Sequence, residues 1–238
     1  MTNFAHEFRR TFIVDDRYRL FITGLNNTLI LSLLSVLFGI LIGLFVTYLN
    51  MSNFDSIKHI KLRRVIKFFS RIVSNIYLDV IRGTPVVIQL LVMVFVIFAG
   101  SSMNRLLIAA IAFGINSGAY VSEIIRAGIL SIDKGQTEAG RSLGLSGFNT
   151  MRLVVVPQAI KNVLPALANE FIVLIKETAV VGAVAIIDIT RSAQLIQSTT
   201  FSAAMPLLGS AVMYYVIIKV LSIAFKILEK HMRKSDKR

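Results

Sequence analysis

The side chains in this sequence best suited to meeting a charged solute sit inside long apolar runs. Glu170 and Glu177 are seven residues apart, and at about 3.6 residues per helical turn the second returns to within about 20° of the first. Two carboxylates on one stripe, two turns apart, would offer acceptors to a cation or an ammonium group. Asn169 stands beside the first and Lys176 beside the second. A local reading competes, in which Glu177 pairs with Lys176 at one water boundary and Glu170 sits near the other. A second polar stripe is Asn116, Tyr120 and Glu123, spaced four and three apart. Polar groups are costly in hydrocarbon, so both stripes are candidates for function.

Other chemistries are excluded by composition. With no cysteine, disulfides, thiolate zinc sites and thiol nucleophiles cannot form. The three histidines, His6, His59 and His231, are too scattered for a metal cluster. No catalytic residue and no metal site is assigned. The 238 residues are 55% hydrophobic and only 16% charged, with a mean hydropathy of +0.72, which places the chain in a lipid bilayer. A net charge of +13 would suggest nucleic acid for a soluble protein. In a membrane chain it indicates basic loops held on the cytoplasmic side, and no nucleic acid partner is expected.

The elements that must position these residues are membrane helices of about 20 apolar residues. Five runs qualify, at about 25–49, 85–99, 106–130, 163–187 and 206–228, forming one transmembrane domain over 25–228. Residues 1–24 precede it as an extracellular or amphipathic segment, and 229–238 form a basic tail. The N-terminal stretch shows no long apolar core or cleavage site, so no removable signal is expected. Lys and Arg cluster between Asn50 and Gly83, between Arg126 and Lys161, and from Lys219 onward. That alternation predicts an outside N-terminus and a cytoplasmic C-terminus, with Arg9, Arg10, Arg17 and Arg19 counting against it. The stretch 57–80 repeats Ile60, Val65, Phe68, Phe69, Ile72, Val73, Ile76 and Tyr77 at helical spacing beside Arg63, Lys67 and Arg71. It reads as an amphipathic helix on the inner membrane surface or against other helices. The G-x-x-x-G pairs Gly39/Gly43 and Gly114/Gly118 read as close packing within one bundle.

A cytoplasmic loop over about 131–160 carries the most distinctive pattern. Gly135 to Ser142 reads G-x-x-x-x-G-R-S, close to a phosphate-binding loop. Arginine replaces the required lysine, Glu138 adds negative charge, and an apolar helix rather than a strand precedes it, so nucleotide binding is rejected. What remains is a short helix from Gln136 to Leu143, a break at Gly144, and a second amphipathic helix from near Gly147 that Pro157 should stop. Two short helices joined at a glycine make a projecting elbow suited to a groove on a soluble partner.

The elbow resembles the coupling loop of ATP-binding cassette importer permeases, whose pattern is E-A-A-x-x-x-G, nine residues, then I-x-L-P. Glu138, Ala139, Gly140, Gly144, Val154, Val156 and Pro157 match it in order and spacing, with Gly140, Val154 and Val156 as departures. Further segments resemble the polar amino acid subfamily: Thr28-Leu29, Ser32, Ser35 and Gly39; Tyr77 with Arg82, Gly83, Thr84, Pro85 and Gln89; Tyr120, Glu123, Arg126 and Gly128; Asn169-Glu170 and Lys176-Glu177-Thr178. The resemblance spans about residues 22–228.

It implies an all-α membrane protein of the type I importer permease (MetI-like) fold with five transmembrane helices. It also implies a bacterial plasma membrane location and transport of a polar amino acid of the cystine, glutamine, arginine or histidine class. Expected partners are a cytoplasmic ATPase dimer, a second permease copy (a homodimer before a heterodimer) and an extracellular binding protein. This chain itself would bind no cofactor, since ATP and Mg belong to the ATPase. The coupling residues would be Gly135, Gln136, Glu138, Ala139, Gly140, Gly144, Val156 and Pro157. The substrate path would draw on Arg82, Gly83, Thr84, Gln89, Asn116, Tyr120, Glu123, Asn169, Glu170 and Glu177. The rival classes are weaker. An ion-coupled secondary transporter usually shows an inverted repeat, and none is detectable. A membrane enzyme would have only Glu170 and Glu177 as acid and base.

Overall fold

The computed structural model describes residues 4–51 and 60–234, and every regular element among them is helical. The helices are α1 (Phe4–Phe8), α2 (Tyr18–Met51), α3 (Ile60–Gly83), α4 (Val86–Val92), α5 (Arg105–Leu130), α6 (Lys134–Ser142), α7 (Gly147–Thr150), α8 (Val156–Glu177), α9 (Ile189–Thr200) and α10 (Ala204–Lys234). Wide π turns follow α1, α4 and α7, and a 3-10 segment, Thr178–Val184, follows α8. The start of the expected 57–80 helix and the last residues of the basic tail lie outside the described residues.

Among the described residues three helices are long and apolar enough to cross a membrane: Tyr18–Met51, Arg105–Leu130 and Ala204–Met232. The number rises to four if Ile60–Gly83 and Val86–Ile97, separated by a break, count as one span. The apolar run expected over 85–99 is helical only over Val86–Ile97. Twelve residues rise about 18 Å at 1.5 Å each, short of a hydrocarbon core of about 30 Å. Pro85, with extended backbone (ψ 135°), caps the start of α4 and separates it from α3.

The residues form two compact units. The first comprises Met1–Leu37, Thr84–Gly114 and Phe171–Ser222. Its core joins Phe21 to Ile189, Ala193 and Ile196, flanked by Phe12, Met213 and Tyr214. Asp188 caps α9, accepting the amide protons of Thr190 at 3.0 Å and Arg191 at 2.9 Å and the Tyr214 hydroxyl at 3.2 Å. The N-terminal segment is pinned here as well, since the Arg10 guanidinium donates to the Thr200 carbonyl.

The second unit comprises Phe38–Gly83, Ile115–Glu170 and Ile223–Arg238. Its helices approach closely where side chains are smallest. A Cβ on Gly43 would fall 2.6 Å from Val121 Cγ1, so α2 and α5 meet at a distance that only glycine permits. One apolar cluster joins Val46, Leu78 and Ala119, and another joins Val121, Ile125 and Val163. The packed stripe of α3 differs from the apolar face that its periodicity suggests. Ser70, Ser74 and Leu78 are buried, while Phe68, Phe69, Val73 and Ile76 are exposed. Small hydroxyls let α3 press against α2, with Ser70 Oγ donating to the Leu49 carbonyl at 3.2 Å. The bulky apolar groups are then left for a lipid environment, the reverse of a water-soluble helix.

Candidate functional site

The elbow is built by local capping. Asp133 opens α6 by accepting the Gly135 amide proton at 2.7 Å, and Ser146 opens α7 by accepting that of Asn149 at 3.2 Å. Between them the chain reverses through a Schellman turn. The Leu145 amide donates to the Gly140 carbonyl at 3.1 Å, and the Gly144 amide donates to that of Arg141 at 3.0 Å. This places Gly144 at φ +82°, a conformation that glycine adopts without a Cβ penalty. A Cβ there would meet nothing within 4 Å, so the glycine is required by its backbone angle and not by space.

Gly140, where the family pattern has alanine, is explained by a neighbour. It is buried, and a Cβ on it would stand 2.8 Å from Thr150 Cγ2. Thr150, itself buried, is held by its hydroxyl donating to the Ser146 carbonyl at 3.0 Å. The exposed surface of the elbow is apolar at Leu143 (84% exposed) and Phe148 (72%), with Lys134, Glu138, Arg141 and Arg152 around it. Gln158 Nε2 donates to Gln136 Oε1 at 3.3 Å and Asn162 Nδ2 to Ser131 Oγ at 2.9 Å, tying α8 to α6 and to the end of α5.

Two expectations about the elbow are corrected. Pro157 does not stop a helix; it lies in the first turn of α8, which runs on to Glu177 and also contains Pro165. The π turn Met151–Val155 just before it widens the backbone, and a first-turn proline has no helical amide bond to lose. The first elbow helix also starts earlier than the expected Gln136, so Glu138 lies beyond its first turn. α6 begins at Lys134, behind the Asp133 cap, and its first turn holds no acidic residue.

The candidate path residues fall into separate environments. In the second unit Asn116 and Glu170 are both buried, and Ser117 Oγ donates to Glu170 Oε1 at 2.8 Å. Tyr120 is 40% exposed. Glu123 is engaged by Arg126, whose Nε donates to Oε2 at 3.1 Å and whose Nη2 donates to Oε1. Arg82 Nε donates to the Leu78 carbonyl at 3.3 Å. Gly83 and Asn169 are exposed. In the first unit Gln89 Nε2 donates to Thr84 Oγ1 at 2.8 Å, and Glu177 ends α8. Glu170 and Glu177 thus belong to different units.

The sequence reading missed Ser117 and Asp188, which satisfy or cap buried groups. Asp188 had a readable signal, an acid directly before an amphipathic helical run. Ser117, lying among small residues, had none. Among the described residues no group of three or more metal-ligating side chains occurs.

Residues 60–234 match the family of binding-protein-dependent transport system inner membrane components. The chain is 37% identical over 213 residues to a putative glutamine transport system permease protein of Rickettsia conorii, covering 89% of this chain and 92% of that one. It is 34% identical over 215 residues to an arginine transport system permease protein of Bacillus subtilis, covering 90% and 92%. A solved amino acid ABC transporter with histidines superposes with a TM-score of 0.81 at 40% identity, over 97% of this chain and 99% of that one. The inward-facing MetNI methionine ABC transporter shares the fold, with a TM-score of 0.72 at 20% identity over 92% and 99%. The chain therefore belongs to the binding-protein-dependent transport system inner membrane components, as a multi-pass ABC importer permease of the polar amino acid type in the bacterial plasma membrane and not an enzyme.

Proposed function

We propose that this permease carries a polar amino acid of the glutamine or arginine class inward by alternating access, driven by a partner ATPase. The observation that carries the reading is the elbow. Its rigid Schellman turn presents Leu143 and Phe148 outward while Gln136 and Gln158 fasten α6 to α8. Closure of an ATPase dimer against such a surface would pass along α8 as rigid-body movement. ATP and Mg would be held by the ATPase and none by this chain. The N-terminus would face outside and the elbow and C-terminus the cytoplasm. Five crossings would need α8 beside the three long apolar helices and the broken α3–α4 pair, and a second permease copy and an extracellular binding protein would complete the assembly.

Within the membrane, Glu170 is the group best suited to an ammonium. It is a buried carboxyl already satisfied by Ser117, so it can exchange one hydrogen-bond donor for another without being stranded. Glu177 would extend the path toward the outer end of α8. The test is substrate-stimulated ATP hydrolysis by the reconstituted complex, with its binding protein, across cystine, glutamine, arginine and histidine. Stimulation and uptake by at least one of them is expected, and none by apolar amino acids.

A further inference from the structure

The second unit contains a polar cleft of about 400 Å³, lined by Thr47, Asn50, Asn75, Arg82, Glu123 and Arg126 among others. It joins the C-terminal end of α2 to α3 and α5. Its charges are unequal, with two guanidinium groups facing one carboxylate. Glu123 and Arg126 close on each other through two hydrogen bonds. Arg82 also lines the cleft, and among the described residues its one hydrogen bond runs from Nε to the Leu78 carbonyl, although its charge also acts on Glu123. Asn50 and Asn75 add amide donors, whereas the Thr47 and Ser122 hydroxyls already donate to the Ser122 and Ala119 carbonyls.

This donor set discriminates between ligands. A zwitterion needs an acceptor for its ammonium, and the one carboxylate here is already engaged. An anionic oxyacid group needs only donors, which Arg82 and the two asparagine amides supply together with one net positive charge. The neighbouring surfaces identify its source. Tyr48, next to Thr47 on α2, and Ile76, next to Asn75 on α3, are more than half exposed, as expected of side chains facing hydrocarbon in a membrane protein. A basic pocket opening between such helices suits a phosphate headgroup whose acyl chains lie on the apolar flank.

We infer that the Arg82 cleft holds the phosphodiester of an anionic phospholipid, with Arg82 as its main cationic partner. The Glu123–Arg126 pair then shapes the cleft wall and keeps Arg126 from competing for the headgroup. An arginine fork binds phosphate oxygens in pairs, which lysine does not reproduce. Losing such a charge-assisted contact weakens binding about tenfold to hundredfold.

The assembled complex in nanodiscs tests this. Wild type, Arg82→Gln and Arg82→Lys are placed in phosphatidylcholine alone or with phosphatidylglycerol, and melting temperature and lipid retained after detergent extraction are measured. Phosphatidylglycerol should raise the melting temperature of wild type and be retained by it. Arg82→Gln should lose both effects, and Arg82→Lys should keep part of each. Equal melting temperatures of wild type and the two variants in phosphatidylcholine alone would show that the substitutions leave folding intact. If that baseline falls for Arg82→Gln, lipid retention measured at a temperature below its melting point decides alone. Retention of phosphatidylglycerol by Arg82→Gln at the wild-type level overturns the proposal. So does stabilisation of wild type in phosphatidylcholine by millimolar inorganic phosphate, which would make the ligand a soluble anion. A raised amino acid KM in Arg82→Gln with unchanged lipid retention would assign Arg82 to the transport path instead.

Discussion

Leu145 donates its amide proton back to the Gly140 carbonyl at 3.1 Å, and the chain can close that bond only by passing through Gly144 at φ +82°. The two short helices of the elbow owe their mutual direction to this one bond. Because a Cβ at Gly144 would touch nothing within 4 Å, bulk is irrelevant there and backbone strain decides.

Substitutions at Gly144 should therefore rank by left-handed propensity. Gly144→Asn should be the mildest, Gly144→Asp close to it, and Gly144→Val the most damaging, since a residue with a Cβ pays about 1–2 kcal/mol in this region and branching adds to it. ATPase co-purification and substrate-stimulated hydrolysis should fall in that order, with membrane insertion unchanged. A ranking by side-chain volume instead would show that space, not φ, sets the requirement.

Glu138 gives a cleaner test of docking than its sequence position suggests. Since it lies beyond the first turn of α6, the helix dipole contributes little to it. Glu138→Gln should leave the stability of the isolated permease, read by thermal melting, within about 0.5 kcal/mol of wild type while weakening ATPase co-purification in a salt-dependent way. Unaltered association at low salt would remove Glu138 from the docking surface.

The Ser117–Glu170 hydrogen bond yields a paired forecast. Ser117→Ala removes the hydroxyl donor from a buried carboxylate and should destabilise the permease by about 1–3 kcal/mol. Glu170→Gln is uncharged and easier to bury, so it should fold at least as well as Ser117→Ala. Glu170→Gln should also raise the apparent KM for the amino acid about tenfold to hundredfold. Uptake affinity and thermal melting on both variants check this, and an unchanged KM in Glu170→Gln would remove Glu170 from the path.

Asp188 should prove structural. Asp188→Ala strands the amides of Thr190 and Arg191 and leaves the Tyr214 hydroxyl with Thr190 Oγ1 in place of Asp188, with an expected loss of about 1–2 kcal/mol. Asp188→Asn, which keeps an acceptor, should recover about half of it, measured by thermal unfolding in detergent.

Much of this was legible from residue order. The long apolar runs around Leu31 and Phe113 located membrane helices because nothing else tolerates such runs, and Glu138 through Pro157 identified the elbow because its glycines have backbone reasons to be there. The less legible parts depended on tertiary context. The π turn before Pro157 leaves no compositional trace, so a proline inside a helix read as its end. Ser70 and Ser117 carry no signal in the residue order, yet Ser70 bonds α3 to α2 and Ser117 satisfies Glu170. The pairing of Glu170 with Glu177 rested on helical spacing alone, which fixes direction around an axis but not the surroundings at each turn.

The central claim, that the elbow couples an ATPase to amino acid transport, is tested most directly by ATP hydrolysis in the reconstituted complex on adding substrate-loaded binding protein. Wild type should be stimulated by a polar amino acid, and Gly144→Val should keep basal hydrolysis while losing the stimulation. Full stimulation in Gly144→Val, or none in wild type with any polar amino acid, would contradict the account.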